Sequence, residues 1–316
     1  MSPRRTHLPQ LDGRLFIADS GLETTLIFHD GIDLPYFAAF VLLEDPAGRA
    51  RLRDYFQRHI EIARAAGTGI VLETPTWRAN PDWGAKLGYD AARLAAVNRA
   101  AVSQLAELRE ALETPATPIV ISGSLGPRGD GYVADHAMNA DQAQAYHAPQ
   151  IEAFASTAAD LVSVYTITYV DEAIGIARAA EATGMPIAVS FTLETDGRLP
   201  SGMPLAQAIG AVDAATHAYP AYYMINCAHP SHFAHVLRDA GAWRERLRGV
   251  RANASKRSHA ELDEASDLDD GDPAELATDY RELRALLPGL AVVGGCCGTD
   301  HRHIGAICRR LFDSSA

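Results

Sequence analysis

Leu290-Ala291-Val292-Val293-Gly294-Gly295-Cys296-Cys297-Gly298 joins a short apolar run directly to two glycines and two adjacent cysteines. A continuous apolar run, without polar alternation, is how a parallel strand covered on both faces reads. The glycines remove the Cβ atoms that would hold a neighbouring backbone or ligand away. The same order, an apolar run and then small or polar residues, recurs seven times upstream. Leu15–Ala18 ends in Asp19-Ser20-Gly21, and Gly69–Leu72 ends in Glu73-Thr74-Pro75-Thr76-Trp77. Pro118–Ile121, Leu161–Val164, Pro186–Phe191, Tyr222–Ile225 and Leu247–Ala252 complete the set. Helical stretches are expected between them over about 45–66, 91–112, 141–158, 171–182, 205–216, 232–239 and 273–287, with a last one over 300–312. Eight strands alternating with eight helices imply an α/β protein, a (β/α)8 TIM barrel filling residues 1–316 as a single domain, with a doubly wound sheet as the second choice.

Composition narrows the function classes. The chain has 316 residues, 47% of them hydrophobic, and a formal charge of −12. That acidity argues against nucleic-acid or anionic-membrane partners and for small-molecule chemistry. No apolar run approaches the roughly 20 residues that span a bilayer, and residues 1–10 lack the apolar segment of a secretory signal. A cytoplasmic protein is expected, and reducing conditions there would keep its four cysteines as thiols.

In a barrel of this kind the chemistry collects at the C-terminal ends of the strands. Cys227 follows the sixth run and Cys296 and Cys297 follow the eighth, so one rim receives all three. Three thiolates with one open position suit a catalytic Zn²⁺. Cys308, on the last helix, reads as core, and His229 as a supporting loop residue rather than a fourth ligand. The loop at about 253–272 carries Glu261, Asp263, Glu264, Asp267, Asp269, Asp270 and Asp272. A solvated surface loop is the expectation, with a lid over the site as the alternative.

These motifs together resemble the homocysteine S-methyltransferase family. The resemblance rests on Asn226-Cys227, on Gly294-Gly295-Cys296-Cys297-Gly298 and on Asp19-Ser20-Gly21 with Glu23-Thr24 and Leu26. It extends through Thr74-Pro75-Thr76-Trp77, Ser124-Leu125-Gly126-Pro127 and Ser190-Phe191-Thr192 with Asp196-Gly197 and Gly202. It implies a barrel whose Cys227, Cys296 and Cys297 bind zinc, with Asp19 beside the amino group of a thiol amino acid. The expected reaction moves a methyl group from S-methylmethionine, S-adenosylmethionine or betaine to homocysteine, forming methionine. Zinc would take the acceptor thiol as fourth ligand and deprotonate it, and only the thiolate is a competent nucleophile. With the chain ending at Ala316 after the barrel, a small onium donor is expected rather than a cobalamin or folate module. Backbone amides near Gly21 are candidates for the acceptor carboxylate, and Thr74, Thr76, Trp77 and Ser124 for the pocket wall. Trp77 also offers a cation-π surface for the donor.

One residue departs from the family pattern. Where members usually carry a glutamate at the end of the fourth strand, this chain has Tyr165, and a phenol supplies no negative charge at neutral pH. Glu194 is the candidate replacement. Arg251-Ala252-Asn253-Ala254-Ser255 and Ser258-His259-Ala260-Glu261-Leu262-Asp263 are also unusual for the family, so a different thiol or selenol acceptor stays open. So does a non-catalytic zinc or thiol-metabolite binding protein. A Schiff-base lyase would need a lysine at a strand end, and the chain has only Lys86 and Lys256.

Overall fold

The eight apolar runs form eight parallel strands: β1 (Phe16–Ala18), β2 (Gly69–Glu73), β3 (Ile119–Leu125), β4 (Leu161–Ile167), β5 (Ile187–Thr192), β6 (Tyr222–Asn226), β7 (Leu247–Ala252) and β8 (Val292–Gly295). Each pairs with its sequence neighbours, and β8 returns to β1 through Phe16 opposite Val292 and Ile17 opposite Val293, which closes the barrel. The structure, a computed structural model, describes residues 2–134, 137–239, 241–264 and 267–312.

Outside the barrel lie α1 (Pro46–Ala65), α2 (Ala91–Leu112), α3 (Ala140–Ala155), α4 (Val170–Thr183), α5 (Leu205–Ala215), α6 (Pro273–Leu286) and α7 (His301–Phe312). Their starts are set by side chains that take up the free amides of the first turn. Asp45 accepts from Ala47 and Gly48 at 2.9 Å before α1, and Asn139 and Gln142 form a reciprocal capping box on α3. The helix expected over 232–239 is a correction. Its apolar pair Phe233 and Leu237 is buried as the period required, but the segment splits into one α turn (Pro230–Phe233) and one 3-10 turn (Val236–Arg238). No helix among the described residues is long and apolar enough to cross a membrane.

Two apolar layers follow from the period-2 alternation of strand side chains. Ile17, Ile70, Ile121, Val164, Val189 and Ile225 belong to the layer under the helices, while Phe16, Val71, Val120, Leu161, Tyr222 and Met224 belong to the barrel's inner cluster. The polar N-terminal segment is used structurally: Leu8 joins the inner cluster, and the fully buried Gln10 reaches the Tyr222 hydroxyl at 3.4 Å.

β4 leaves regular register against β5 between Val164 and Ile167. There Thr166 sits at φ 63°, a left-handed conformation unfavourable for a β-branched residue. Asn226 holds it in place: its Oδ1 accepts from the Thr166 amide at 2.9 Å and from the Ser190 hydroxyl at 2.7 Å, and its Nδ2 donates to Thr166 Oγ1 at 3.0 Å. The same side chain thus fixes the turn beside Tyr165 and precedes Cys227, itself left-handed at φ 52°. Asn226→Ala should cost about 2–4 kcal/mol in urea unfolding, because it strands three buried polar groups on a strained turn; a loss under 0.5 kcal/mol would show that the turn needs no such clamp.

Candidate active site

A cavity of about 340 Å³ opens at the C-terminal rim, within the range of small-molecule sites. Cys227, Cys296 and Cys297 line it, with their three sulfurs all within 4.8 Å of one another. β6 delivers the first and β8 the other two. Gly21 permits the approach of the β1 loop to this corner, since a Cβ there would lie 2.5 Å from the Cys296 carbonyl oxygen. Gly298 turns the chain out of the corner at φ 77°.

The sulfurs of Cys227 and Cys296 are paired as a disulfide, with Cα atoms 5.5 Å apart, whereas the sequence reading expects thiols. Cys297 Sγ lies 3.9 Å from Cys227 Sγ and 3.2 Å from the Tyr132 hydroxyl. Closely packed thiols can be oxidised to a disulfide or, as thiolates, share a metal, and the two uses exclude each other. An all-sulfur trio with room on its open side fits a thiophilic ion such as Zn²⁺ in the reduced state.

Asp19 is buried at the cavity floor, but its charge already has a partner. Arg251, on β7, brings Nη2 to 2.6 Å from Asp19 Oδ1 and also donates to the carbonyls of Ser20 and Gly295, each at 3.0 Å. Burial raises the Asp19 pKa against the opposing pull of Arg251. Burial pulls the Arg251 guanidinium down, yet Asp19, Tyr165 and Glu73 together hold it above its ordinary value. Neither Arg251 nor Glu73 is among the site residues expected from the sequence.

Tyr165, two residues before the end of β4, lines the cavity wall, and its hydroxyl donates to Glu73 Oε1 at 2.7 Å. Glu73 ends β2 and is 6% exposed, and burial pushes its pKa up to about 7 despite Arg251 and the Tyr165 and Ser122 hydroxyls. Glu194, the candidate replacement carboxylate, is placed differently. Glu194 lies outside the cavity, its Oε1 3.5 Å from Nδ1 of His259, whose Nε2–H donates to the Cys227 carbonyl at 2.5 Å.

The remaining expectations divide in the same way. Thr74, Ser124 and Trp77 line the cavity. Thr76 does not: it is fully buried and donates to the Ser124 carbonyl at 2.8 Å, while Thr74 Oγ1 accepts from the Ser124 amide at 2.8 Å. Gly21 lines the cavity, but its own amide is committed to Thr299 Oγ1 at 3.1 Å and is no free donor for a carboxylate. Trp77 does stack on a cation, though an internal one. The Arg78 guanidinium lies 4.0 Å from its ring centre and 3.9 Å from that of Trp83. His229 bonds Ser231 and lies outside the cavity lining, and burial lowers its pKa to about 4. Lys256 pairs with Glu275 and Lys86 stacks over Trp83, so neither reaches the cavity. Cys308 is buried on α7.

The stretch between β7 and α6 leaves Glu261, Glu264, Asp267 and Asp272 exposed and also reaches the cavity. It contains a short helix, His259–Asp263, and sends Ser255, His259, Leu262, Asp267, Leu268 and Asp269 to the cavity wall. Ser255 donates to Asp269 at 2.7 Å, and Arg302 holds Asp270 at 2.7 Å. Residues 265 and 266 lie outside the described residues, as does the side chain of Asp263. Phe28 and Phe37 flank the mouth.

Comparison with known proteins agrees with this geometry. The family model described as homocysteine S-methyltransferase matches residues 16–311. A homocysteine S-methyltransferase of Escherichia coli (strain K12) is 27% identical over 288 residues, covering 86% of each chain. The crystal structure of the Escherichia coli homocysteine methyltransferase MmuM in its oxidized form superposes with a TM-score of 0.75 at 25% identity, over 97% of this chain and 99% of that one. Its metallated form gives 0.72 at 24% identity, over 94% and 96%, a likeness of fold. The chain is a methyltransferase and belongs to the homocysteine S-methyltransferase family.

Proposed function

We propose that the protein transfers a methyl group from an onium donor to the thiolate of homocysteine, giving methionine. The observation that carries this reading is the convergence of Cys227, Cys296 and Cys297 on a cavity that also presents buried carboxylates for an amino-acid substrate. Zn²⁺ held by the three thiolates would supply Lewis acidity, keeping the acceptor thiol ionised near neutral pH. The metallated Escherichia coli relative, with the same fold, is consistent with that use of the cysteines.

The protein's own residues do the rest by position. A buried carboxylate of the cavity wall orients the ammonium end of the acceptor, so that its sulfur is carried toward the cysteine corner. Leu262, Leu268, Phe28 and Phe37 supply apolar surface to the cavity in which the acceptor would sit. The wall carries six carboxylates, Asp19, Glu23, Glu73, Asp130, Asp267 and Asp269, against the guanidiniums of Arg78 and Arg251, a field that favours a cationic donor. In the transfer a sulfur–carbon bond forms as the methyl carbon's bond to S⁺ or N⁺ breaks, and that electron pair leaves with the now neutral donor. A reducing compartment, the cytosol, suits a site that needs all three cysteines as thiolates.

Reduced, metal-quantified protein incubated with homocysteine and S-methylmethionine, S-adenosylmethionine or betaine should form methionine with at least one donor. Thiol and metal binding without turnover on any of the three would favour a binding protein instead. Cys297→Ala should lower bound metal and cut transfer by more than about 100-fold, beyond the loss typical of a residue that merely supports a ligand. Transfer that survives this substitution, or that survives exhaustive chelation, would contradict the mechanism.

A further inference from the structure

We propose that Glu73, held by the Tyr165 hydroxyl, is the carboxylate that receives the ammonium group of the thiol acceptor, and that Tyr165 is its positioning residue. This rests on the methyl-transfer reading and deepens it, because it says how a chain with a phenol at the end of β4 still recognises an amino acid.

Three observations combine. First, Asp19 already has a cation: Arg251 Nη2 lies 2.6 Å from its Oδ1 as an ion pair, although that oxygen makes no aligned hydrogen bond, so an incoming ammonium would compete with the guanidinium there. Secondly, among the described residues Glu73 has no cation in hydrogen-bond contact. Its Oε1 is taken by the neutral Tyr165 hydroxyl, and its Oε2 is buried without a hydrogen-bond partner. A carboxylate so placed is unstable as an anion unless a ligand completes its partners, and Glu73 lines the cavity in which the ligand would sit. Thirdly, the pair is rigid. Glu73 is the last residue of β2 and Tyr165 lies two residues before the end of β4, and the Tyr165 hydroxyl also lies 4.0 Å from Met224 Sδ on β6, so three even-numbered strands of the closed barrel meet there. The negative charge expected at the end of β4 has moved to the end of β2, and the phenol at its former place holds it.

Burial already lifts Glu73 to a pKa of about 7, and the groups that face it are Arg251 on β7, Asp19 just after β1, Tyr165 on β4, Tyr222 on β6 and Ser122 on β3. Among these, Arg251 and the two hydroxyls of Tyr165 and Ser122 favour the ionised form, while Asp19 opposes it. The ammonium binds the ionised form, so ligand affinity should fall as pH drops below about 7.

The test compares homocysteine with 4-mercaptobutanoate, the same thiol without its amino group, on wild type, Glu73→Gln and Tyr165→Phe of matched metal content and melting temperature. Glu73→Gln should lower kcat/KM for homocysteine by about 10- to 100-fold while changing 4-mercaptobutanoate less than about 3-fold. Tyr165→Phe should raise KM for homocysteine with little change in kcat. Calorimetric binding of methionine, which has the ammonium but no ionisable thiol, should weaken in Glu73→Gln and lose its pH dependence between 6 and 8. In Tyr165→Phe its midpoint should move to higher pH, since the carboxylate loses a donor that stabilises its charge. Equal losses on both thiols, an intact preference for homocysteine in Glu73→Gln, or no methionine binding by wild type would overturn the assignment. Failure of wild type to methylate either thiol, with methionine binding still sensitive to Glu73, would sink the methyl-transfer reading and leave the ammonium site standing.

Discussion

Hydrogen bonding of β8 back to β1 is the constraint on which the site depends. It places the ends of β1, β2, β4, β6, β7 and β8 around one rim, although residues 19 and 297 stand at opposite ends of the chain. No local segment holds the three sulfurs together; the closed sheet does. The contact is tight at this seam. A Cβ on Gly294 would lie 2.8 Å from that of Ala18, and the Gly295 amide donates to the Asp19 carbonyl at 2.9 Å. The glycines before the cysteine pair therefore serve closure first, and closure delivers the cysteines.

Around this seam, charge is arranged in two registers. Arg251 binds β1 and β8 together through Asp19, Ser20 and Gly295, which makes it a structural cation at the floor. Glu73, one position further round the barrel, has no cation at contact distance among the described residues, and burial disfavours its ionised form. Removing Arg251 would then harm the fold and the site together, since it would leave Asp19 as a buried, unpaired carboxylate.

Much of the fold was legible because buried parallel strands are continuous apolar runs, and Gly69–Leu72 or Tyr222–Ile225 cannot be read as surface. The cysteines were legible because they directly follow such runs. Glu73 also follows one, yet its role depends on Tyr165, 92 residues away, and no local spacing encodes that hydrogen bond. Glu194 drew attention as a carboxylate near a strand end, but it lies beyond the rim and turns toward His259. Thr76 and Gly21 sit in the right loops and spend their polar groups inside the protein. The acidic stretch after β7 keeps Glu261, Glu264, Asp267 and Asp272 exposed, as charge runs usually are, but composition gave no sign that the same stretch also reaches the cavity. Here Ser255, Arg257 and Arg302 hold its aspartates while Leu262 and Leu268 face inward.

The central claim, that the three cysteines bind a metal which takes up the acceptor's sulfur, is most directly tested by X-ray absorption at the zinc edge of reduced, zinc-loaded protein with and without saturating homocysteine. The account predicts three sulfur ligands in the free protein and four with homocysteine bound. Fewer than three sulfurs in the free protein, or a sulfur count that homocysteine leaves unchanged, would contradict it.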